Sequence, residues 1–264
     1  MPEKSIHQIE GFMVDLDGTT YLGDRLLPGA EEFYDTVRAR GKRVLYITNN
    51  SSRSPEQYRA KLRALGIPVR DNEVLTSGEA TIAYLKQKGC RSVFPLATAE
   101  FRRMMAEAGF ELDEQKPDYV VLGFDTELTY EKLRKGCLLL LAGARFVASN
   151  PDVVCPTADG PVPDAGSMMA LIETATGRRP ETVAGKPNPL MLDLALKRLQ
   201  VSGGAAAIIG DRLSTDIAMA EHAGVTSILV LSGVTRPEDV EGSRYKIDYV
   251  LESLARVASM LAVG

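Results

Sequence analysis

The sequence predicts an α/β fold, a helix-covered parallel sheet interrupted by an inserted αβ cap, and three observations carry that expectation. Short apolar runs alternate with amphipathic helical stretches at both ends of the chain. A second alternating set of about a hundred residues lies between them. Charged side chains recur directly after the apolar runs, where ligands of an open parallel sheet bind. The expected division is a discontinuous core at 1–80 and 181–264 with the cap at 81–180.

The core begins with Phe12-Met13-Val14, a short buried strand that ends in Asp15-Leu16-Asp17-Gly18-Thr19. In extended chain, residues i and i+2 point the same way, so Asp15 and Asp17 face one site past the strand end. Two carboxylates that close repel by about 4 kcal/mol at an effective dielectric of ~20, so a cation or a shared proton must offset them. A nucleophile paired with a general acid would use that arrangement. A surface Asp-Gly turn is the plain alternative for this stretch alone.

Pro28 then starts a helix with Ala30, Phe33 and Val37 on its apolar face, and Gly41 ends it. Residues 44–47 form the second strand and run into Thr48-Asn49-Asn50-Ser51-Ser52. Ser54 caps a helix opened by Pro55, with Tyr58, Leu62 and Leu65 inward and Gly66 as its stop. A short strand at 74–76 and a helix carrying Ile82 and Leu85 follow. The cap set comprises strands at 92–96, 119–122 and 145–148 with helices at 98–108, 130–142 and 167–176. The core resumes with the brief run Thr182-Val183-Ala184 and a helix opened by Lys186-Pro187 carrying Leu192, Ala195, Leu196 and Leu199. A buried strand at 205–209 ends in Gly210-Asp211, and a helix starts near Ser214. Strands at 228–231 and 249–250 and a helix at 251–261 complete it.

Composition excludes several function classes. A chain of 264 residues, 45% hydrophobic and 25% charged, has core enough to fold alone. A net charge of −4 without a basic run argues against nucleic-acid binding. No stretch approaches a membrane-spanning length, and the start Met1-Pro2-Glu3-Lys4-Ser5-Ile6-His7 has no apolar signal region, so a cytoplasmic location is expected. Cys90, Cys137 and Cys155, odd in number and widely spaced, fit reduced thiols. The formal glycosylation sequons at Asn49 and Asn50 lack a secretory context. With only His7 and His222, histidine-based chemistry is poorly supported, and His222 is read as structural or exposed.

Asp15, Asp17, Thr48, Lys186, Asp211 and Asp216 all fall near strand ends on one edge of the expected sheet. Each alone is explained as a turn, cap or solvated residue, but their joint occurrence points to a site. Several carboxylates suit a hard divalent cation, and Mg²⁺ fits a site that also admits phosphate and water. Lys186, the Thr48 hydroxyl and nearby amides suit phosphoryl oxygens.

Asp15-Leu16-Asp17-Gly18-Thr19, Thr48-Asn49-Asn50-Ser51-Ser52, Gly185-Lys186-Pro187 and Gly210-Asp211-Arg212-Leu213-Ser214-Thr215-Asp216-Ile217 resemble the four motifs of the haloacid dehalogenase superfamily. The Asn-Asn-Ser-Ser and Gly-Lys-Pro forms, the cap between the second and third motifs, and Asn150-Pro151-Asp152 resemble its subfamily of 4-nitrophenylphosphatases, pyridoxal-phosphate phosphatases and sugar-phosphate phosphatases. The resemblance implies a Rossmann-like core of the haloacid dehalogenase type. It further implies Asp15 as nucleophile, forming an aspartyl phosphate, and Asp17 as general acid and then base. Thr48, Asn49 and Lys186 would bind the phosphoryl group with Asn50 close by. Asp15, the backbone carbonyl of Asp17 and Asp211 would hold Mg²⁺, with Asp216 directly or through water. Asp164, in Pro163-Asp164-Ala165-Gly166, departs from a pattern that often carries glycine there. The segment 150–167, rich in proline and glycine, is read as a substrate-selecting loop.

The expected function is therefore a Mg²⁺-dependent phosphomonoester hydrolase acting on a small phosphorylated metabolite. Neither nucleic acid nor membrane is an expected partner, and self-association is left open. Asp17 disfavours resembling dehalogenases, which lack that carboxylate, and resembling P-type ATPases, which carry threonine there. A phosphomutase or phosphotransferase on the same core, and a non-catalytic phosphate-binding module, are the competing readings.

Overall fold

The computed structural model describes residues 5–157 and 159–263. Residues 1–4 of the stretch read for a targeting signal, residue 158 of the 150–167 segment and the terminal residue of the core lie outside the described residues. The core is a six-stranded parallel sheet in the order Tyr249–Leu251, Thr226–Val230, Ala206–Gly210, Gly11–Asp15, Arg43–Thr48, Val74–Thr76. The strand that carries Asp15 is central, flanked by Ala206–Gly210 and Arg43–Thr48. It is buried along its whole length, as an apolar run covered on both faces requires.

Alternation along that strand sends its side chains into two separate cores. Phe12 and Val14 pack with Phe33, Tyr34 and Val37 of the helix Ala30–Ala39 and with Val257 and Leu261 of the helix Leu254–Ala262. Met13 points the other way, among Met191, Leu192 and Ala195 of the helix Pro189–Leu199. A central strand clamped from both sides fixes where its last residue, Asp15, emerges.

A second parallel sheet has the order Thr182–Val183, Arg145–Ala148, Tyr119–Leu122, Ser92–Leu96, Glu111–Leu112. It too is covered on both faces, by Phe101 and Met105 on one side and by Leu139, Leu140 and Ile172 on the other. Thr182–Val183, expected in the core, pairs instead with Arg145–Ala148 in this sheet. The expected strands at 92–96, 119–122 and 145–148 occupy its middle.

Two helix starts differ from expectation, each falling after the proline that was expected to open the helix. Asn188, whose Oδ1 accepts from Leu190 N at 2.9 Å, caps the helix Pro189–Leu199, so Lys186-Pro187 precedes the helix. Gly29, not Pro28, sits at the cap position of Ala30–Ala39. After Asp211 the chain forms a π-helical turn, Leu213–Ile217, before the short helix Ala218–Ala220. The 150–167 segment contains an antiparallel hairpin, Val154–Thr157 with Gly160–Pro163, and its end starts the helix Ala165–Thr176. No helix among the described residues is long and apolar enough to cross a membrane.

Candidate active site

The carboxyl edge of the core sheet gathers the expected groups. Asp15, the last residue of the central strand, is 7% exposed, and its Oδ1 accepts a hydrogen bond from the Lys186 ammonium. The same ammonium donates to Asp216 Oδ1 at 2.6 Å. Lys186 is 2% exposed, so one buried cation bridges two buried carboxylates. Asp17, half-buried, lines the same cleft as Asp15, Thr48, Asn49, Asn50 and Lys186. The i, i+2 spacing at the strand end thus brings both carboxylates to one site.

Asp211 completes a carboxylate cluster behind the cleft. One oxygen from each of Asp15, Asp211 and Asp216 lies within 4.8 Å of the others. Asp211 Oδ2 accepts from Val234 N at 2.6 Å, while its buried Oδ1 has no hydrogen-bond partner among the described residues. A buried orphan acceptor beside two further carboxylates is the donor set of a hard divalent cation. The residues therefore fit the expected metal.

Glycine allows this crowding. Gly18 has φ +92°, and a Cβ there would lie 2.5 Å from Asp211 Oδ2. At Gly210 a Cβ would lie 2.1 Å from Asp216 Cγ. The π-helical turn brings Asp216 back against the strand end, where its Oδ2 accepts from Arg212 N at 3.3 Å and from the Thr215 hydroxyl at 3.4 Å.

The second motif is held from several directions. Thr48 Oγ1 accepts from Asn50 N at 3.1 Å, which leaves its own O–H proton to donate. Asn50 Oδ1 accepts from Ser52 N at 2.9 Å and from the Ser52 hydroxyl at 2.6 Å. The Asn49 carboxamide clasps Lys186, its Oδ1 accepting from Lys186 N at 2.8 Å and its Nδ2 donating to Lys186 O at 3.1 Å. Both asparagines of the formal sequons are thus engaged inside the site.

Burial dominates the electrostatics. It pushes the Asp15 carboxyl well above its ordinary range; Lys186 opposes the shift, and Asp216 and Asp211 add to it. Burial, with Asp216 next, pushes Asp211 up to about 6. Desolvation works against the Lys186 ammonium, but Asp15 and Asp216 outweigh it and raise its pKa. Asp17 is raised by burial, and Lys61 and Arg53 moderate that rise.

Two residues close the cleft: Asp152, which sequence reading placed in the substrate-selecting segment, and Arg212, to which it assigned no role. Asp152 Oδ1 accepts from Arg212 Nη1 at 2.9 Å, and its Oδ2 accepts from Asn49 Nδ2 at 2.9 Å. Arg212 Nη2 also donates to Val154 O at 3.1 Å, tying the hairpin to the core. Both residues lay inside the quoted motifs, but nothing in their spacing announces that they pair. His7 and His222 are exposed, and Cys90, Cys137 and Cys155 are free thiols.

Asp164 is buried between the hairpin and the helix Ala165–Thr176, where it lines the cleft with Asp152. Its Oδ1 accepts from Ala165 N at 2.5 Å, capping the helix Ala165–Thr176, and from Asn150 Nδ2 at 3.3 Å. Burial nonetheless pushes its carboxyl from 3.8 up to about 7, against the pull of the Ala165 N–H. A carboxyl whose folded pKa is raised contributes stability below its unfolded pKa, lost as pH rises through the folded value. Asp164→Asn keeps a cap oxygen without the charge. The variant is expected to gain roughly 1–3 kcal/mol over the parent between pH 5 and pH 8. Denaturant midpoints at the two pH values check this, and an unchanged difference would remove burial as the cause.

Known proteins agree with the geometry. Residues 12–111 match a family model described as haloacid dehalogenase-like hydrolase, and residues 183–257 match one described as HAD-hydrolase-like. The chain is 36% identical to the acid sugar phosphatase of Staphylococcus haemolyticus, over 93% of this chain and 94% of that protein. The crystal structure of 4-nitrophenylphosphatase from Thermotoga maritima superposes with a TM-score of 0.91 at 47% identity, covering 96% of this chain and 98% of that one. A glycerol phosphate phosphatase from Mycobacterium tuberculosis, solved in complex with magnesium, gives a TM-score of 0.88 at 32% identity, covering 98% of this chain and 78% of that one. With matches of this extent, and with the four motifs assembled at one sheet edge, the chain belongs to the haloacid dehalogenase-like hydrolases and is a phosphatase of that family.

Proposed function

We propose that this phosphatase is a Mg²⁺-dependent phosphomonoesterase that works through an aspartyl phosphate on Asp15, with residues 81–180 and the strand Thr182–Val183 as its cap. The observation that carries this reading is the position of Asp15. It lies at the end of the central strand, bonded to Lys186, beside the Asp211–Asp216 pair and sharing a cleft with Asp17.

Asp15 attacks phosphorus with one carboxylate oxygen. The P–O bond to the leaving group breaks, and Asp17 gives its proton to the departing oxygen. Asp17, now a carboxylate, takes a proton from water as that water attacks the aspartyl phosphate, which frees inorganic phosphate and Asp15. The raised pKa of Asp17 suits the first of these roles, because the acid form survives to higher pH. Lys186 neutralises charge on the phosphoryl oxygens while it orients Asp15. The Thr48 hydroxyl donates to the same group. Asn49 contributes by holding the Lys186 backbone, since its carboxamide is spent there and on Asp152. Asp15, Asp211, the Asp17 carbonyl and Asp216 would hold Mg²⁺, which when bound screens the phosphate dianion from these carboxylates.

The test is release of 4-nitrophenol from its phosphate ester by the purified chain. Mg²⁺ is expected to support turnover, EDTA to suppress it at least about tenfold, and added Mg²⁺ to restore it. Ca²⁺, which takes more and longer oxygen contacts, is expected to inhibit by misplacing the nucleophile. Full activity after exhaustive EDTA treatment would refute the metal, and absence of nitrophenol release under every condition would refute the hydrolase reading.

A further inference from the structure

A second cavity of about 270 Å³ adjoins the cleft, and Asp17, Asn50, Cys155 and Pro156 form walls of both spaces. Under the mechanism above, Asp17 protonates the oxygen that departs, so the leaving group extends past Asp17 into this cavity. Its volume suits a leaving group of roughly ten non-hydrogen atoms.

Its lining is unevenly charged. Arg53 and Lys61 project from the segment after the second motif and from the helix Pro55–Ala64, and both line the cavity. Neither side chain makes a salt bridge or a hydrogen bond among the described residues, although other arginines along the same stretch do: Arg59 and Arg63 both reach Asp71. Lys61 Nζ instead lies 3.8 Å from the centroid of the Tyr21 ring, which holds it over the cavity wall. Apart from Asp17, the one carboxylate in the lining is Asp24, which is exposed at the rim. The cap side supplies Phe124, Thr126, Thr157 and Val162, none of them charged. Two cations with no salt bridge among the described residues therefore flank the path of the leaving group; Asp17 acts on both through space and Asp24 on Lys61, and the facing wall supplies no carboxylate for either.

We propose that the enzyme selects phosphomonoesters whose leaving group carries a second anionic group, a carboxylate or a further phosphate, and that Arg53 and Lys61 are the specificity-determining residues that receive it. The proposal rests on the phosphatase reading and deepens it. A guanidinium and an ammonium on two sides of a short leaving group form charge-assisted hydrogen bonds with such an anion. A neutral polyol of the same length leaves both cations unanswered.

Three esters matched in chain length test it: 3-(phosphonooxy)propanoate, propane-1,3-diyl bisphosphate and 3-hydroxypropyl phosphate. At least one anionic ester is expected to exceed the neutral one in kcat/KM by about tenfold or more, mainly through KM, with the advantage shrinking as salt rises. Which anion leads identifies a carboxylate or a phosphate as the group received. Arg53→Gln with Lys61→Gln is expected to bring the ratio of anionic to neutral ester close to one. The charge reversal Arg53→Glu with Lys61→Glu is expected to favour 3-aminopropyl phosphate over both anionic esters, a gain that misfolding cannot imitate. Equal kcat/KM for the three esters in the parent enzyme, or a ratio that survives both double variants, overturns the proposal while leaving the phosphatase reading intact. Failure to hydrolyse any of them, or 4-nitrophenyl phosphate, overturns that reading itself.

Discussion

Asp15→Asn is expected to lower phosphate release by about a thousandfold or more, because a neutral amide does not attack phosphorus. The fold should survive the change. Asp15 is buried against Asp216 and Asp211, and its carboxyl is pushed well above its ordinary range, chiefly by burial. Removing that charge relieves like-charge crowding and leaves Lys186 its 2.6 Å bond to Asp216. The melting temperature of the variant should therefore not fall, which separates loss of chemistry from loss of structure. Turnover and thermal melting measured on the same preparation check both halves. Turnover near the parent level would reject Asp15 as nucleophile. Loss of both would show that the Asp15–Lys186 bond contributes more to stability than the crowding costs.

The parts of this site that were legible in the sequence are those governed by short-range geometry. Phe12-Met13-Val14 reads as a short buried strand, and i, i+2 spacing then sends Asp15 and Asp17 to one cleft. The rule that ligands sit beyond the carboxyl ends of a parallel sheet places Thr48 and Asp211 there as well. Lys186 was legible as a residue of the site but not as a bridge. Its simultaneous bonds to Asp15 and Asp216 span 171 and 30 positions, and no local pattern encodes a contact at such separations.

Local competition explains the rest. Pro187 and Pro189 both satisfy the first helical position, and only the cap bond from Asn188 decides between them. The hairpin at 154–163 was hidden by Pro156, Pro161 and Pro163, which read as loop stiffeners. In a two-stranded ribbon a proline loses little, since its missing N–H faces the open edge; Pro156 pairs opposite Pro161, and Pro163 opposite Val154. The pairing of Arg212 with Asp152 escaped for a further reason. Ion pairs between layers depend on how the cap sits over the core, and the cap's seating is written in packing rather than in any one motif.

Asp17→Asn should separate the two halves of the reaction by the leaving group. An alkyl phosphate releases a strongly basic alkoxide that needs a proton as the P–O bond breaks, so loss of the acid is expected to slow phosphorylation by about 10²–10⁴-fold. Nitrophenolate is a far weaker base and departs without that help, so its ester should lose much less in the same step. Hydrolysis of the aspartyl phosphate then lacks its base, and phosphoenzyme should accumulate when 4-nitrophenyl phosphate is the substrate. Single-turnover phosphorylation with each ester, followed by acid quench and quantification of protein-bound phosphate, resolves the steps. The position of Asp17 requires this asymmetry. It stands half-buried where the cleft meets the neighbouring cavity, on the leaving-group side of Asp15 under the proposed mechanism. Lys61 and Arg53 favour its ionised form while burial favours the acid, and burial is the larger influence, so the acid form that the first step uses persists to higher pH than in an exposed aspartate. Equal losses for the two esters would mean that Asp17 shapes the site without transferring a proton, and the acid would then have to be sought elsewhere along the cleft.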